Sequence, residues 1–400
     1  MKILHFLTVI LLSSTTVLAQ DSLITKIASE HEQIISFDSH QFSGEGIKTF
    51  TQKIAQHRYV LIGEDHLNNE VLDFTSYLTQ KIDFDNYITE ADQLTMDILR
   101  KDYNKVKEYR SIVTNSKDKF SFFSFDRDRE LLNSFFKNNK TTIGLDNVFF
   151  NSDCVVFQEL INKTSNKQAK AKYEAMLQES LARWNRYKAN PDQQPSVEFN
   201  QPYLFTSDFG KKIMDIQKLK ISEYEYQALN SLLKSNRIYN LGYTGDGLES
   251  HYMRISSMKA QLLKNLDKIK GKRNLFKFGA NHVGKGRSLF QNSFDVGNLV
   301  TNLADAEQEQ SLHIAIIQQG GKAGSFFSES SEADNVSFLK PFYKLIGKDN
   351  EWLLFDLNKI NENIKKQKTF IKSTGLKNLI EGYDYLIIIP KVTAQKIVTA

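Results

Sequence analysis

One cysteine, Cys154, is all that the 400-residue chain contains. An internal disulfide framework is therefore excluded, and the fold has to be stabilised by its apolar core. Neither sign of charge dominates: 52 Lys and Arg residues face 47 Asp and Glu residues. The basic residues are dispersed along the chain, which leaves no electrostatic footprint for nucleic acid and no polybasic membrane patch. A phosphate-binding loop is missing as well. Gly242-Tyr243-Thr244-Gly245-Asp246-Gly247 is glycine-rich but lacks the following Lys-Ser/Thr pair, and it reads as a turn. No Gly-x-Ser-x-Gly elbow occurs, so a serine-hydrolase triad of that design is not expected. The His-Glu-x-x-His helix pair of zinc peptidases is also absent. Cys154 has no local context for a nucleophile, and burial is the default for a lone cysteine. Internal repeats and low-complexity tracts are lacking.

The longest apolar run is at the start, where Lys2 precedes Ile3 to Leu12 and small and polar residues lead to Val17-Leu18-Ala19. This pattern predicts a secretory leader, residues 1–19, cut after Ala19. The run is too short to span a bilayer as a mature helix. We therefore expect an exported protein, periplasmic or extracellular, without stable membrane insertion once the leader is removed. No cysteine follows the cut, so a lipid-modified N-terminus is not expected. Loss of Lys2 leaves 51 basic residues against 47 acidic ones, still nearly balanced. The remainder, about 380 residues, is long enough to bury a sizeable core.

Apolar spacing predicts outer helices over Asp21–Ile35 and Gly46–His57. A β-rich run follows at Arg58-Tyr59-Val60-Leu61-Ile62-Gly63, then an amphipathic helix over Asn69–Ile82, and a second strand, Asn86-Tyr87-Ile88-Thr89, that ends on Glu90. The rhythm repeats with a helix near Arg129–Lys137 and the strand Thr141–Leu145 ending on Asp146. Such alternation predicts parallel strands joined by helical crossovers. From about Phe149 to Lys270 the strand signal disappears. That stretch is read as a helical insertion forming a cap, with Trp184 and Tyr187 set among charges, a looser segment at Ala189–Pro202, and a last helix over Leu248–Ile269. The sheet resumes with Asn274–Gly279 and Leu312–Ile317, and further strands are expected at Trp352–Phe355 and Tyr385–Ile389. Gly320–Ala333 reads as a loop. The expected fold class is α/β, a mainly parallel sheet flanked by helices. Residues 20–400 then form a single domain, with its core at 46–148 and 271–400 and the insertion at 149–270.

In open parallel sheets ligands bind beyond the carboxyl ends of the strands. Glu64, Glu90, Asp146 and His282 each lie at or just past the end of a different predicted strand, and His66 shares the loop of Glu64. The group suits water activation: a histidine takes a proton from water while a carboxylate orients it and stabilises its charged form. A second carboxylate crowded nearby has its pKa raised and is suited to protonating a leaving group. Acids after strands also cap helices. That competing role applies to Asp146, and it is the role expected of Asp65. His282 stands in Gly279-Ala280-Asn281-His282-Val283-Gly284, where flanking glycines permit a sharp turn or a close approach. The other histidines, His313 among them, lack such a setting and read as structural or exposed, with His251, one turn from Arg254, as the exception.

Val60-Leu61-Ile62-Gly63-Glu64-Asp65-His66 with Glu70, and Tyr87-Ile88-Thr89-Glu90-Ala91, resemble the first two strand ends of the erythromycin esterase-like proteins. The wider group takes in the ChaN-like haem-uptake proteins and the Tiki/TraB-type peptidases. Arg254 and Met258, then Asn281-His282-Val283, are similar to the helix and second histidine loop of the esterases. The resemblance covers roughly residues 58–91 and 250–300. Departures are present. One residue separates Glu64 from His66 where the esterases have two, a spacing closer to the other branches. Their Arg-Asp pair is Arg254-Ile255 here, a later Asn is Gln261, and an extra histidine is Gly279.

The resemblance implies Glu64, His66, Glu90 and His282 as the catalytic centre, with Arg254, Asp146 and Asn281 toward the substrate. The leading expectation is a hydrolase acting on an ester or related bond of a small molecule, with no cofactor required. A ChaN-like haem-binding protein and a metal-dependent Tiki/TraB-type peptidase are the alternatives the same resemblance implies, and with them haem or a divalent metal. A zinc site made by His66, His282 and a carboxylate is chemically sound, although the usual helix pair is absent and the sequence does not name the metal.

Overall fold

The computed structural model describes residues 21–106, 118–189, 201–326, 331–332 and 336–398. The expected leader, most of the segment between Ala189 and Pro202, and part of the Gly320–Ala333 loop lie outside them. The described residues form two compact units. The first comprises those within 21–83, 275–323 and 331–394, and the second those within 84–274, 324–326 and 395–398.

In the first unit the strands β1 (Glu32–Asp38), β2 (Gln41–Ser43), β3 (Tyr59–Glu64), β6 (Asn274–Gly279, all but its first residue), β7 (Ser311–Gln318), β8 (Glu351–Asp356) and β9 (Tyr385–Ile389) lie in the order β2-β1-β8-β9-β7-β3-β6. β9, β7 and β3 run parallel, with Tyr385 opposite Ile314 and Tyr59 opposite Ser311. Every residue of β3, β7 and β9 is buried, as expected for parallel strands covered on both faces. β8, β1 and β2 extend the sheet antiparallel. Helices cover it through narrow apolar stripes: Glu45–Ile54 buries Ile47, Phe50 and Ile54, and Leu357–Lys366 buries Leu357, Ile360 and Ile364.

One helix expectation is corrected here. The helix that begins at residue 21 ends at 29, and Ile34 and Ile35 belong to β1. Ile35 is buried where it pairs with Trp352, and Ile34 faces outward. An Ile-Ile doublet satisfies a helical stripe and an edge strand equally, and the antiparallel ladder with β8 decides the outcome.

In the second unit β4 (Asn86–Thr89) and β5 (Thr141–Gly144) pair in parallel, with Asn86 opposite Thr141. Their crossover carries the helices Gln93–Val106 and Asp126–Lys137. Between Asp153 and Ile269 the described secondary structure of this unit is all helix, joined by short turns, with a 3-10 turn at Tyr203–Phe205. The helices enclose an apolar cluster that includes Phe157, Tyr173, Leu204, Phe209, Leu229 and Leu232. Ser222 and Glu225 form a capping box that opens Glu223–Tyr243. Trp184 is buried in spite of its charged neighbours, because its indole N–H donates to Asp118 at 2.8 Å. The fold is thus α/β, with mainly parallel strands flanked by helices. No helix among the described residues is long and apolar enough to cross a membrane.

Candidate functional site

Glu64 closes β3 with its side chain 2% exposed. Lys277, in the middle of β6, is 3% exposed and places its ammonium 2.6 Å from Glu64 Oε1. The same oxygen lies 3.0 Å from His66 Nδ1. Burial works to raise the Glu64 carboxyl pKa, but the Lys277 charge and the His66 contact overcome it and hold it below the ordinary range. Glu64 is therefore ionised and only accepts, so His66 carries its proton on Nδ1. The order of strands puts β6 beside β3. A Cβ on Gly63 would lie 2.9 Å from Ala280 Cα and 2.6 Å from Val283 Cγ2, so only glycine lets the turn after β6 approach this closely.

That turn, Ala280–His282, buries His282 and sets its Nδ1 2.9 Å from Asp295 Oδ2. Asp295 caps the helix Val296–Ala306, its other oxygen accepting the Val296 N–H at 2.6 Å. The first unit therefore joins Glu64 to His66, packs the turn of His282 against Gly63, and supplies two partners that the sequence reading missed, Lys277 for Glu64 and Asp295 for His282. Asn281 is engaged within its own loop. It donates to Gln291 and accepts the Phe290 N–H at 3.0 Å.

The second unit holds the other set. Glu90 follows β4 directly, and Asp146 lies two residues beyond its parallel partner β5. Gly144 makes the proximity possible, since a Cβ there would meet Ala91 O at 2.6 Å and Asp92 C at 2.8 Å. Arg254, on the helix Gly247–Lys264, donates to Asp146 through Nε (2.9 Å) and Nη2 (2.5 Å) and to Glu90 through Nη2 (2.6 Å). Burial opposes the guanidinium charge, but Asp146 and Glu90 hold its pKa well above the ordinary value. Asp146 thus pairs with Arg254 in a bidentate fork rather than capping a helix.

Close by, a cavity of about 40 Å³ is lined by Asp92, Asp146, Asn147, Lys234, Ser257 and Gln261. It is large enough for two or three waters. Asp92 caps the helix Gln93–Val106 through Thr95 N–H, 2.8 Å away, and its buried second oxygen has no hydrogen-bond partner among the described residues. Burial, with a smaller push from Asp146, raises the Asp92 pKa to about 6.

The expected capping role of Asp65 is overturned. Asn68 caps the helix Asn69–Lys81, its side chain accepting the Val71 N–H at 3.1 Å, because the chain turns into the helix three residues later than the Asp65 reading requires. Cys154 is buried, and burial pushes its thiol pKa up, so it is not a thiolate. A larger cavity of the first unit, about 370 Å³, is lined by residues at the amino ends of strands, Ser311 and Tyr385 among them. The paired histidines lie at carboxyl ends, and their chemistry rather than cavity size marks the site. Among the described residues no three His, Cys, Asp or Glu side chains are arranged to hold a metal ion.

No family model matches the chain, and no curated protein matches it. Solved structures do. A protein from Bacillus cereus is 15% identical with a TM-score of 0.56, covering 95% of this chain and 99% of its own. A succinoglycan biosynthesis protein is 13% identical at a TM-score of 0.56, with the same coverage of 95% and 99%. The erythromycin esterase EreC, a mutant in its open conformation, is 14% identical at a TM-score of 0.55, covering 92% of this chain and 100% of that one. At these identities the likeness establishes a shared fold.

Proposed function

We propose that the chain is an exported hydrolase of the erythromycin esterase-like type, acting on an ester or related bond of a small molecule. The observation that carries this reading is the pairing of each histidine with a buried carboxylate, His66 Nδ1 with Glu64 and His282 Nδ1 with Asp295. A histidine protonated on Nδ1 presents the lone pair of Nε2, the nitrogen that accepts a proton, and the carboxylate behind it stabilises the imidazolium that forms. His282, the more buried of the two, takes a proton from water as the hydroxide adds to the acyl carbon. The carbon–oxygen bond to the leaving group then breaks, and that oxygen leaves as the alcohol with the Nε2 proton of His66, which has taken it up from solvent beforehand as an imidazolium held by Glu64; His282 returns its own proton to solvent before the next turnover. Glu64 serves as the orienting group rather than the acid, since Lys277 keeps it ionised.

Asn281, in the loop of His282, is assigned to substrate binding in the first unit, and Glu90, Asp146 and Arg254 are assigned as a binding set of their own in the second. One guanidinium facing two carboxylates leaves an excess negative charge, so the group they receive is neutral or cationic. The likeness in fold to an erythromycin esterase supports the reaction class, and the leader pattern at residues 1–19 supports export. The test is a panel of p-nitrophenyl esters and lactones hydrolysed by the wild type, His66→Ala, His282→Ala and the double variant. Each single substitution is expected to lower turnover by about two to four orders of magnitude. The double variant should be little worse, because groups acting as a unit are not additive. Full activity in the double variant removes the histidines from the mechanism. Absence of turnover by the wild type together with a Soret band on adding haem transfers the reading to ligand binding.

A further inference from the structure

The segment carrying His282 leaves β6 at Gly279 and regains a long helix only at Val296. Its carbonyls have few ladder partners, and buried carbonyls must be satisfied in some other way. Side chains supply the donors. The Tyr383 hydroxyl donates to Ala280 O, His313 Nδ1 lies 2.5 Å from Val283 O, and Asn298 Nδ2 donates to Lys285 O at 2.7 Å. Ala280 and Val283 bracket His282, and the two donors that reach them are both buried.

Each donor is fixed in turn. His313 Nε2 lies 2.8 Å from Ser311 Oγ and 3.1 Å from Thr301 Oγ1. Its backbone N–H donates at 2.8 Å to Asp384, which also pairs with the Lys285 ammonium. Burial, reinforced by Lys285, lowers the His313 pKa to about 4, so the ring is neutral at neutral pH. A neutral ring facing a carbonyl at Nδ1 carries its proton there, and its Nε2 accepts from the hydroxyls. Burial also raises the Tyr383 pKa, which keeps that hydroxyl a donor.

We propose that His313 and Tyr383 are positioning residues for His282, clamping the carbonyls on either side of it so that its Nδ1 stays on Asp295. This rests on the reading of His282 as the base, and neither residue touches the reacting atoms. The protein would gain from them a base whose tautomer and direction are set before substrate arrives.

The test reads the ring of His282 directly, by long-range proton–nitrogen NMR on the ¹⁵N-labelled full chain. In the wild type His282 should appear as the Nδ1–H tautomer with a slowly exchanging downfield proton. Tyr383→Phe and His313→Leu each remove one donor. His313→Asn puts an amide nitrogen where Nδ1 was, whereas His313→Gln puts it where Nε2 was. Exchange of the His282 proton should quicken by about tenfold or more in the Phe, Leu and Gln variants, the scale of one lost hydrogen bond, and return toward wild type in His313→Asn. An unaltered resonance in both Tyr383→Phe and His313→Leu overturns the inference, and so does equal loss in the Asn and Gln variants. Should His313→Leu fail to fold, the Asn and Gln pair decides, and Tyr383→Phe stands independently. The readout needs no substrate, so failure of the ester panel leaves it intact, and an unchanged resonance leaves the hydrolase reading intact.

Discussion

Replacing Lys277 with methionine isolates the buried ion pair on which the charge state of Glu64 depends. Both side chains are at most 3% exposed and meet at 2.6 Å, so the substitution leaves a carboxylate without its main counter-charge in a dry site. Removing one partner of such a pair costs about 3–5 kcal/mol. With a urea m-value of about 3 kcal/mol/M, that is a fall in unfolding midpoint of about 1–1.7 M. Trp352 belongs to the same unit as Lys277, and its fluorescence reports the transition. The pH dependence carries its own sign. In the wild type Glu64 is depressed below its unfolded value, so its contribution is present above that value and is lost as the pH falls through the folded pKa. Without Lys277, burial dominates and the folded pKa rises above the unfolded one. The penalty then exists at neutral pH and is relieved on acidification. The gap between wild type and Lys277→Met should therefore narrow from about pH 7 to about pH 5. Adding Glu64→Leu should recover much of the loss, since replacing a buried pair with apolar groups is often near neutral. A Lys277→Met variant as stable as wild type at pH 7, or a double variant markedly worse than the single one, refutes the reasoning.

Three further outcomes follow from individual contacts. Asp92→Asn keeps the acceptor for Thr95 N–H and removes a charge whose pKa is raised to about 6. The wild type therefore loses stability as the pH rises from the unfolded pKa to the folded one, and the variant should be more stable by about 1–3 kcal/mol at pH 8 in urea titrations. Asn68→Ala should cost about 1 kcal/mol through loss of the helix cap, whereas Asp65→Ala should leave the Asn69–Lys81 helix unweakened, as amide exchange along its first turn will report. Cys154, buried with its pKa raised, should resist thiol reagents until the second unit opens in denaturant.

Strands buried on both faces were the most legible elements, because continuous β-branched runs closed by glycine or polar residues leave few alternatives. Asn86–Thr89, Asn274–Gly279 and Tyr385–Ile389 have the bounds expected from the sequence. Residues 32–35 read as the end of a helix yet start β1, because Ile34-Ile35 fits both periodicities and only the partner strand chooses between them. Trp184 was set among charges, yet a single acceptor, Asp118, allows its burial. In the candidate site, residues at strand ends were visible by position, whereas their partners were not. Asp295 is thirteen positions beyond His282 and looks like a helix cap, which it also is. Lys277 did leave a signal, since a lysine between Phe276 and Phe278 in a buried strand requires a counter-charge. Tyr383 and His313 act through backbone carbonyls, a role that no local pattern encodes.

The most direct measurement is hydrolysis by Asp295→Asn. The amide keeps an oxygen for the Val296 N–H, so the helix cap and the thermal midpoint should be maintained, while its NH2 then faces His282 Nδ1 and donates instead of accepting, which removes the acceptor that fixes Nδ1–H and takes the counter-charge from the imidazolium. On any ester that the wild type cleaves, kcat should fall by about two to four orders of magnitude, with KM little changed. An Asp295→Asn variant that retains wild-type kcat on such an ester contradicts the assignment of the His282–Asp295 pair to water activation.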